Sequence, residues 1–181
     1  MGEFLMTTGT YLTEIQEAMR MLASDPRTLF VGQAVRYSGQ AMHQTLIHVP
    51  MEKRIEMPVI EDFQAGFCTG LALEGYIPVC IFPRFDFLLC AANQIVNHLD
   101  KIPLMTDFRT KVILRTSVGA TTPLNPGLQH TQDHTAAFAW MLKTIIVTNV
   151  NSADRVEEHY ATALSLPDSF LMVERGELYA S

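Results

Sequence analysis

The sequence predicts a three-layer α/β sandwich, with a mostly parallel sheet of about six strands and helices on both faces. Two observations carry this. Apolar runs of strand length alternate with longer segments of helical periodicity, and the runs are continuous rather than alternating. A strand reads that way when both of its faces are covered, and parallel strands need helices to cross back between them. The 181 residues are 48% hydrophobic and 18% charged, enough for one core in a single domain over 1–181. No linker, repeat or low-complexity tract interrupts them.

The elements follow in order. Residues 11–23 are amphipathic and periodic, and Asp25-Pro26 ends that helix. Strand 28–31 opens into a loop marked by Gly32 and Gly39. Strand 54–60 leads into a helix that starts at Glu61 and stops near Gly75. Strand 77–82 precedes a helix over about 86–98. Strand 111–116 runs into a long loop punctuated by Gly119, Pro123, Pro126 and Gly127. A helix over 135–141 leads to strand 144–148. Ser152 opens the last helix, which reaches about 166, and strand 170–173 closes the sheet.

Composition removes several function classes. The net charge of −6, with no basic block, argues against a nucleic-acid partner. The central apolar run 87–92 is far too short to span a bilayer, so no membrane role is expected. The N-terminus lacks a signal peptide's basic and apolar regions, and Met6 reads as a natural start. Cys68, Cys80 and Cys90 are odd in number, lie in apolar surroundings and lack metal-ligand spacing. They read as reduced core thiols of a cytoplasmic protein. The slightly apolar mean hydropathy of +0.14 suits an oligomer.

The most informative stretch is Pro58-Val59-Ile60-Glu61, followed by a helix with Ala65, Gly66, Thr69 and Gly70 at helical spacing. Gly costs about 1 kcal/mol against Ala inside a helix, so two of them four apart imply that another backbone lies close. Glu61 stands where strand meets helix. It reads either as a helix-end carboxylate interacting with the dipole or as an acid placed for chemistry.

The run from Met57 to His134 resembles the pyrimidine-binding domain of thiamine diphosphate-dependent, transketolase-like enzymes, above all the beta subunits of 2-oxo acid dehydrogenases. The resemblance rests on Glu61 with Gly66 and Gly70, then Pro78-Val79, Asp86-Phe87, Gln94-Ile95-Val96-Asn97, Arg115 and His130-Thr131-Gln132. It implies that Glu61 contacts the N1′ atom of the cofactor's aminopyrimidine and stabilises the reactive tautomer. A carboxyl in that role shares its proton near neutrality, which dry surroundings favour; Ile60, Phe63 and Phe67 are expected to supply them. The resemblance further implies that Phe87 stacks on the pyrimidine ring and that His130 faces the reacting end as a proton carrier. A core phenylalanine is the plainer alternative for Phe87. Asp86 reads as a helix cap. His130 and His134 have the spacing of zinc ligands, but no third ligand is evident, so no metal site is expected here.

Departures and absences shape the rest. Asp133 and Thr135 stand where the family has serine and glutamate, and Gln33 and Ala34 replace acidic residues after the first strand. There is no Asp-Gly dipeptide and no glycine-rich phosphate loop. The family binds the diphosphate and its Mg2+ through a Gly-Asp-Gly motif, and its beta subunits carry a C-terminal domain after this one. The resemblance therefore implies half an active site. Thiamine diphosphate would be shared with a companion alpha-type chain that holds Mg2+, in an α2β2 heterotetramer, with a homodimer when the chain is alone. The substrate would be a small 2-oxo acid or a ketose-like donor. The alternatives are a non-catalytic regulatory or scaffold domain that keeps the fold, and a flavodoxin-like binding domain, whose phosphate loop is missing.

Overall fold

The computed structural model describes residues 9–121 and 125–180. Met6 and Pro123 lie outside them. Six parallel strands form one sheet in the order β2-β1-β3-β4-β6-β5: β1 Thr28–Gly32, β2 Arg54–Glu56, β3 Ile77–Phe82, β4 Ile113–Val118, β5 Ile146–Val150 and β6 Phe170–Arg175. The helices are α1 Tyr11–Ser24, α2 Ala41–Gln44, α3 Glu61–Leu73, α4 Phe85–Leu88, α5 Ile102–Met105, α6 Thr135–Met141 and α7 Val156–Ser165. β3 and β4 are buried along their whole length; the unbroken apolar run of β3 requires it, whereas β4 also buries Arg115, Thr116 and Ser117.

Period-two alternation along the strands feeds two cores. Phe30, Val79, Ile81, Ile113, Phe170 and Met172 meet α1 and α7 on one face. Val31, Cys80, Phe82, Leu114, Leu171 and Val173 meet α3, α4 and α6 on the other. The first core also encloses an ion pair between Arg115 and Glu174, both fully buried. Tyr160 and Tyr179 donate their hydroxyls to Glu174, so both carboxylate oxygens are used. Burial, with Glu174 nearby, pushes both phenols well above their ordinary range.

Several expected elements differ; the strand expected over 111–116, for one, lies two residues later, at Ile113–Val118. The strand expected over 54–60 ends at Glu56 because Pro58 has no N–H to give the ladder, although Met57 still donates to Gly32. The single helix expected over 86–98 is broken into α4, a 3-10 turn at Leu89–Ala91 and a π-helical turn at Gln94–Leu99. The strand expected over 144–148 begins two residues later, at Ile146. The buried carboxylate of Asp100 explains that shift, since it accepts the N–H groups of Lys143, Thr144 and Ile145 and takes them from the ladder. Cys90 is exposed rather than a core thiol, while Cys68 and Cys80 are buried.

Candidate active site

The order of strands reverses at β1, whose neighbours β2 and β3 lie on opposite sides of it. The crevice outside the carboxyl ends of strands at such a point is where open α/β sheets bind ligands. A cavity of about 720 Å³ opens there, lined by Gln33 and Ala34 after β1, Arg84 and Phe87 after β3, and Ser117 and Tyr179, among others. A smaller cleft of about 360 Å³, with Arg109, Lys143 and Asp168, lies at the amino ends of β4, β5 and β6. None of the residues singled out in the sequence lines it.

Glu61 is the first residue of α3 and is half-buried. Its Oε1 accepts a hydrogen bond from Gln33 Nε2 at 3.1 Å, which ties it to the cavity wall. Its Oε2 takes no bond from any described residue. Gln33 is fixed in turn by Gln40, whose side chain donates to the Gln33 carbonyl. The loop around them is shaped by Glu56, whose carboxylate accepts the N–H groups of Ala34, Val35 and Arg36. That cradle holds Ala34 at φ +51°, in the left-handed region that disfavours a Cβ. Ala120, on another wall of the same cavity, sits at φ +63°.

The dry surroundings expected for Glu61 are not supplied within one chain. Ile60 is 52% exposed and Phe63 56% exposed, and Phe63 stacks on the half-buried Phe67 with ring centroids 6.2 Å apart. The glycine seam is likewise open. A Cβ on Gly70 would meet nothing, and one on Gly66 would only touch the Gln94 side chain at 3.5 Å. No backbone among the described residues packs on them.

Phe87 lies on α4, against the cavity, and its ring packs on His130 with centroids 5.3 Å apart. His130 ends a 3-10 turn at Leu128–His130, and its Nδ1 is buried with no hydrogen-bond partner. Its carbonyl accepts from Arg84 Nη1 at 2.8 Å, which pins the loop to the β3–α4 corner. Asp86 makes no cap: its Oδ1 accepts from Gln132 Nε2 at 2.9 Å and lies 3.9 Å from His134 Nε2. Asp133 bonds Arg175 at 2.9 Å and also Thr135. Burial works to raise its carboxyl, but those bonds outweigh burial and hold it below its ordinary value. Sequence reasoning singled out Glu61, Phe87 and His130 but missed Arg84 and the link through Gln33. The two are a lone cation and an amide, with no spacing pattern to mark them.

No family model matches the chain. Among curated proteins it is 29% identical over 169 residues to the mitochondrial pyruvate dehydrogenase E1 component subunit beta of Chaetomium thermophilum, covering 87% of this chain and 42% of that protein. It is 30% identical over 139 residues to the Caenorhabditis elegans counterpart, covering 74% and 39%. It is 28% identical over 140 residues to the 2-oxoisovalerate dehydrogenase subunit beta of Bacillus subtilis, covering 74% and 42%. The chain is a homologue of 2-oxo acid dehydrogenase beta subunits. It spans less than half the length of these three relatives. Among solved structures, a split-gene transketolase described as an inactive beta4 tetramer superposes with a TM-score of 0.71 at 15% identity, over 92% of this chain and 50% of that one. That likeness establishes the fold as the transketolase-like three-layer sandwich.

Proposed function

We propose that this chain is the pyrimidine-side, beta-type subunit of a split thiamine diphosphate-dependent enzyme that cleaves or transfers the carbonyl unit of a 2-oxo acid or ketose. One observation carries the reading: Glu61, through Gln33, reaches the same crevice in which Phe87 packs on His130. The residues fit the pyrimidine half of the cofactor. Glu61 keeps one oxygen unengaged for the ring nitrogen N1′, Phe87 offers an apolar face, and His130 Nδ1 is buried without a partner. When bound, the cofactor supplies a nucleophilic carbon that adds to the substrate carbonyl. Glu61 would hold and share the proton at N1′. His130 would carry a proton to or from the substrate oxygen.

The diphosphate and Mg2+ fall, in our reading, to a companion alpha-type chain. Among the described residues no three His, Cys, Asp or Glu side chains gather as a metal site. The exposed Val59, Ile60, Phe63 and Leu73 support burial against other chains, in a homodimer alone and an α2β2 heterotetramer with the companion. The unpaired cysteines support a reducing compartment, which we take to be the cytoplasm. Among the described residues no helix is long and apolar enough to cross a membrane.

The test is calorimetric titration of thiamine diphosphate with Mg2+. The isolated chain is expected to bind weakly or not at all, and the chain with its companion tightly. In that complex Glu61→Gln keeps the size but cannot share a proton. It should lower kcat by roughly 10²-fold or more, with a smaller effect on cofactor affinity. Hydrogen–deuterium exchange at the cofactor's C2 should slow in parallel. Turnover and exchange both at the wild-type level would reduce Glu61 to a helix-end carboxylate and sink the enzyme reading.

A further inference from the structure

We infer that Arg84 selects a substrate carrying an acidic group, carboxylate or phosphate, remote from its reacting carbonyl. The inference rests on the reading of the crevice given above and adds the substrate class. Arg84 is half-buried and lines the cavity. Its Nη1 donates to the carbonyls of Gly119 at 2.9 Å and His130 at 2.8 Å. Its Nε and Nη2 find no partner among the described residues, and no described carboxylate pairs with it. Arg54 shows what a purely structural arginine looks like in this fold. All three of its nitrogens are spent on the carbonyls of Val35, Leu46 and Val49. The fully buried Arg115 has Glu174, and Arg175 has Asp133. Of these four, Arg84 alone has neither a carboxylate partner nor all of its nitrogens engaged; Arg115 leaves Nη1 without a bond but is paired with Glu174.

A guanidinium stays charged at any working pH, and a half-buried one without a counter-ion is uncompensated until an anion arrives. The other side chains on the cavity wall, including Gln33, Gln44, Phe87, Ser117 and Tyr179, are uncharged, so among the described residues Arg84 is the one charged side chain lining it, with the Glu61 carboxylate behind Gln33. Its two carbonyl bonds fix one nitrogen. An Nε–Nη2 edge is the geometry that takes a carboxylate or phosphate side-on through two parallel bonds. Being fixed beforehand, the guanidinium loses little freedom on binding. The backbone places it at the candidate catalytic corner, because Phe87 N donates to Arg84 O and the Phe87 ring packs on His130. A cavity of about 720 Å³ leaves room for a substrate longer than a bare 2-oxo acid.

The experiment uses the isolated full chain, so it does not depend on the thiamine reading. Nuclear magnetic resonance of the labelled protein follows the Arg84 side-chain Nε–Hε signal, assigned by its loss in Arg84→Lys. Three probes are titrated: inorganic phosphate, 2-oxoglutarate, and 2-oxopentanoate, which has a methyl group in place of the terminal carboxylate of 2-oxoglutarate. Phosphate or 2-oxoglutarate should shift the signal saturably, and 2-oxopentanoate should bind about tenfold more weakly or less, the worth of one charge-assisted pair. Tighter binding of phosphate assigns a phosphorylated substrate, and tighter binding of 2-oxoglutarate a dicarboxylate. Arg84→Met, checked for an unchanged fold by its amide spectrum, should abolish the discrimination. If that variant does not fold, the wild-type titration alone decides. Equal response to 2-oxoglutarate and 2-oxopentanoate, or no response to any probe, makes Arg84 a loop tether and overturns the inference. The Glu61 reading would then stand or fall separately, on C2 exchange.

Discussion

Helices α1 and α3 are nearly equal in length and cover opposite faces of the same sheet, yet only one is finished within the chain. α1 buries Tyr11, Ile15, Ala18, Met19 and Leu22 and turns Glu14, Glu17 and Arg20 outward. Its N-cap is closed by Thr10, whose side chain accepts from Thr13 N. α3 buries Gln64, Ala65, Cys68, Thr69 and Ala72, but leaves Phe63 and Leu73 exposed beside Gly70 and has no side-chain cap. The difference teaches where the chain's chemistry lies. The helix that begins with the candidate catalytic acid is the one whose outer face is apolar, so on the proposed reading drying Glu61 and covering that face would be one event. Association would then complete the site as well as the surface.

The largest stability effect should come from the finished helix. Ile15 is fully buried between α1 and the sheet. Ile15→Ala should cost about 2–5 kcal/mol in urea unfolding while leaving the oligomeric state of the surviving folded protein unchanged. A loss below about 1 kcal/mol would mean that this core collapses around the gap rather than keeping it.

Phe63→Glu on the unfinished helix should do the reverse. The side chain is 56% exposed, so the folding free energy of the single chain should move by no more than about 0.5 kcal/mol. Sedimentation should instead show the proposed homodimer giving way to monomer at micromolar concentration. A dimer that survives the charge means that the apolar face of α3 is not the seam, and the comparison of the two helices loses its meaning.

The sequence made the layered fold legible, because parallel strands buried on both faces must read as apolar runs. β3 matches its expected range residue for residue, while β5 begins two residues late. That displacement comes from Asp100, which lies 43 residues before Lys143 in the chain; no local pattern reports a bond of that span. The break after α4 was hidden for a similar reason, since no Gly or Pro interrupts 86–98 and tertiary packing sets the pitch there. In the site, Glu61, Phe87 and His130 were legible as a motif in order. What joins them was not. Gln33 reaches Glu61 over 28 residues, and Arg84 reaches His130 over 46. Single polar residues carry no periodic signature, and their roles exist only once the loops after β1 and β3 share one end of the sheet.

The smallest expected effect returns to α1, at the end where it is closed by charge. Asp25 follows its last residue and accepts from the backbone N–H and the guanidinium of Arg27, at 2.9 Å and 2.7 Å. These bonds, the Arg27 side chain first, draw its carboxyl from 3.8 down to about 2. Because the folded value lies below the unfolded one, the stabilisation is fully present above about pH 4 and is lost as pH falls through about 2. Arg27 is largely exposed, so solvent screens the pair and the effect stays small. Asp25→Asn should lower the thermal midpoint slightly at pH 5, and the gap to wild type should close as pH approaches 2, with 0.5 M salt narrowing it at pH 5. A gap that stays constant over that range would show that the neutral Asp25–Arg27 backbone turn, not the charge, ends α1.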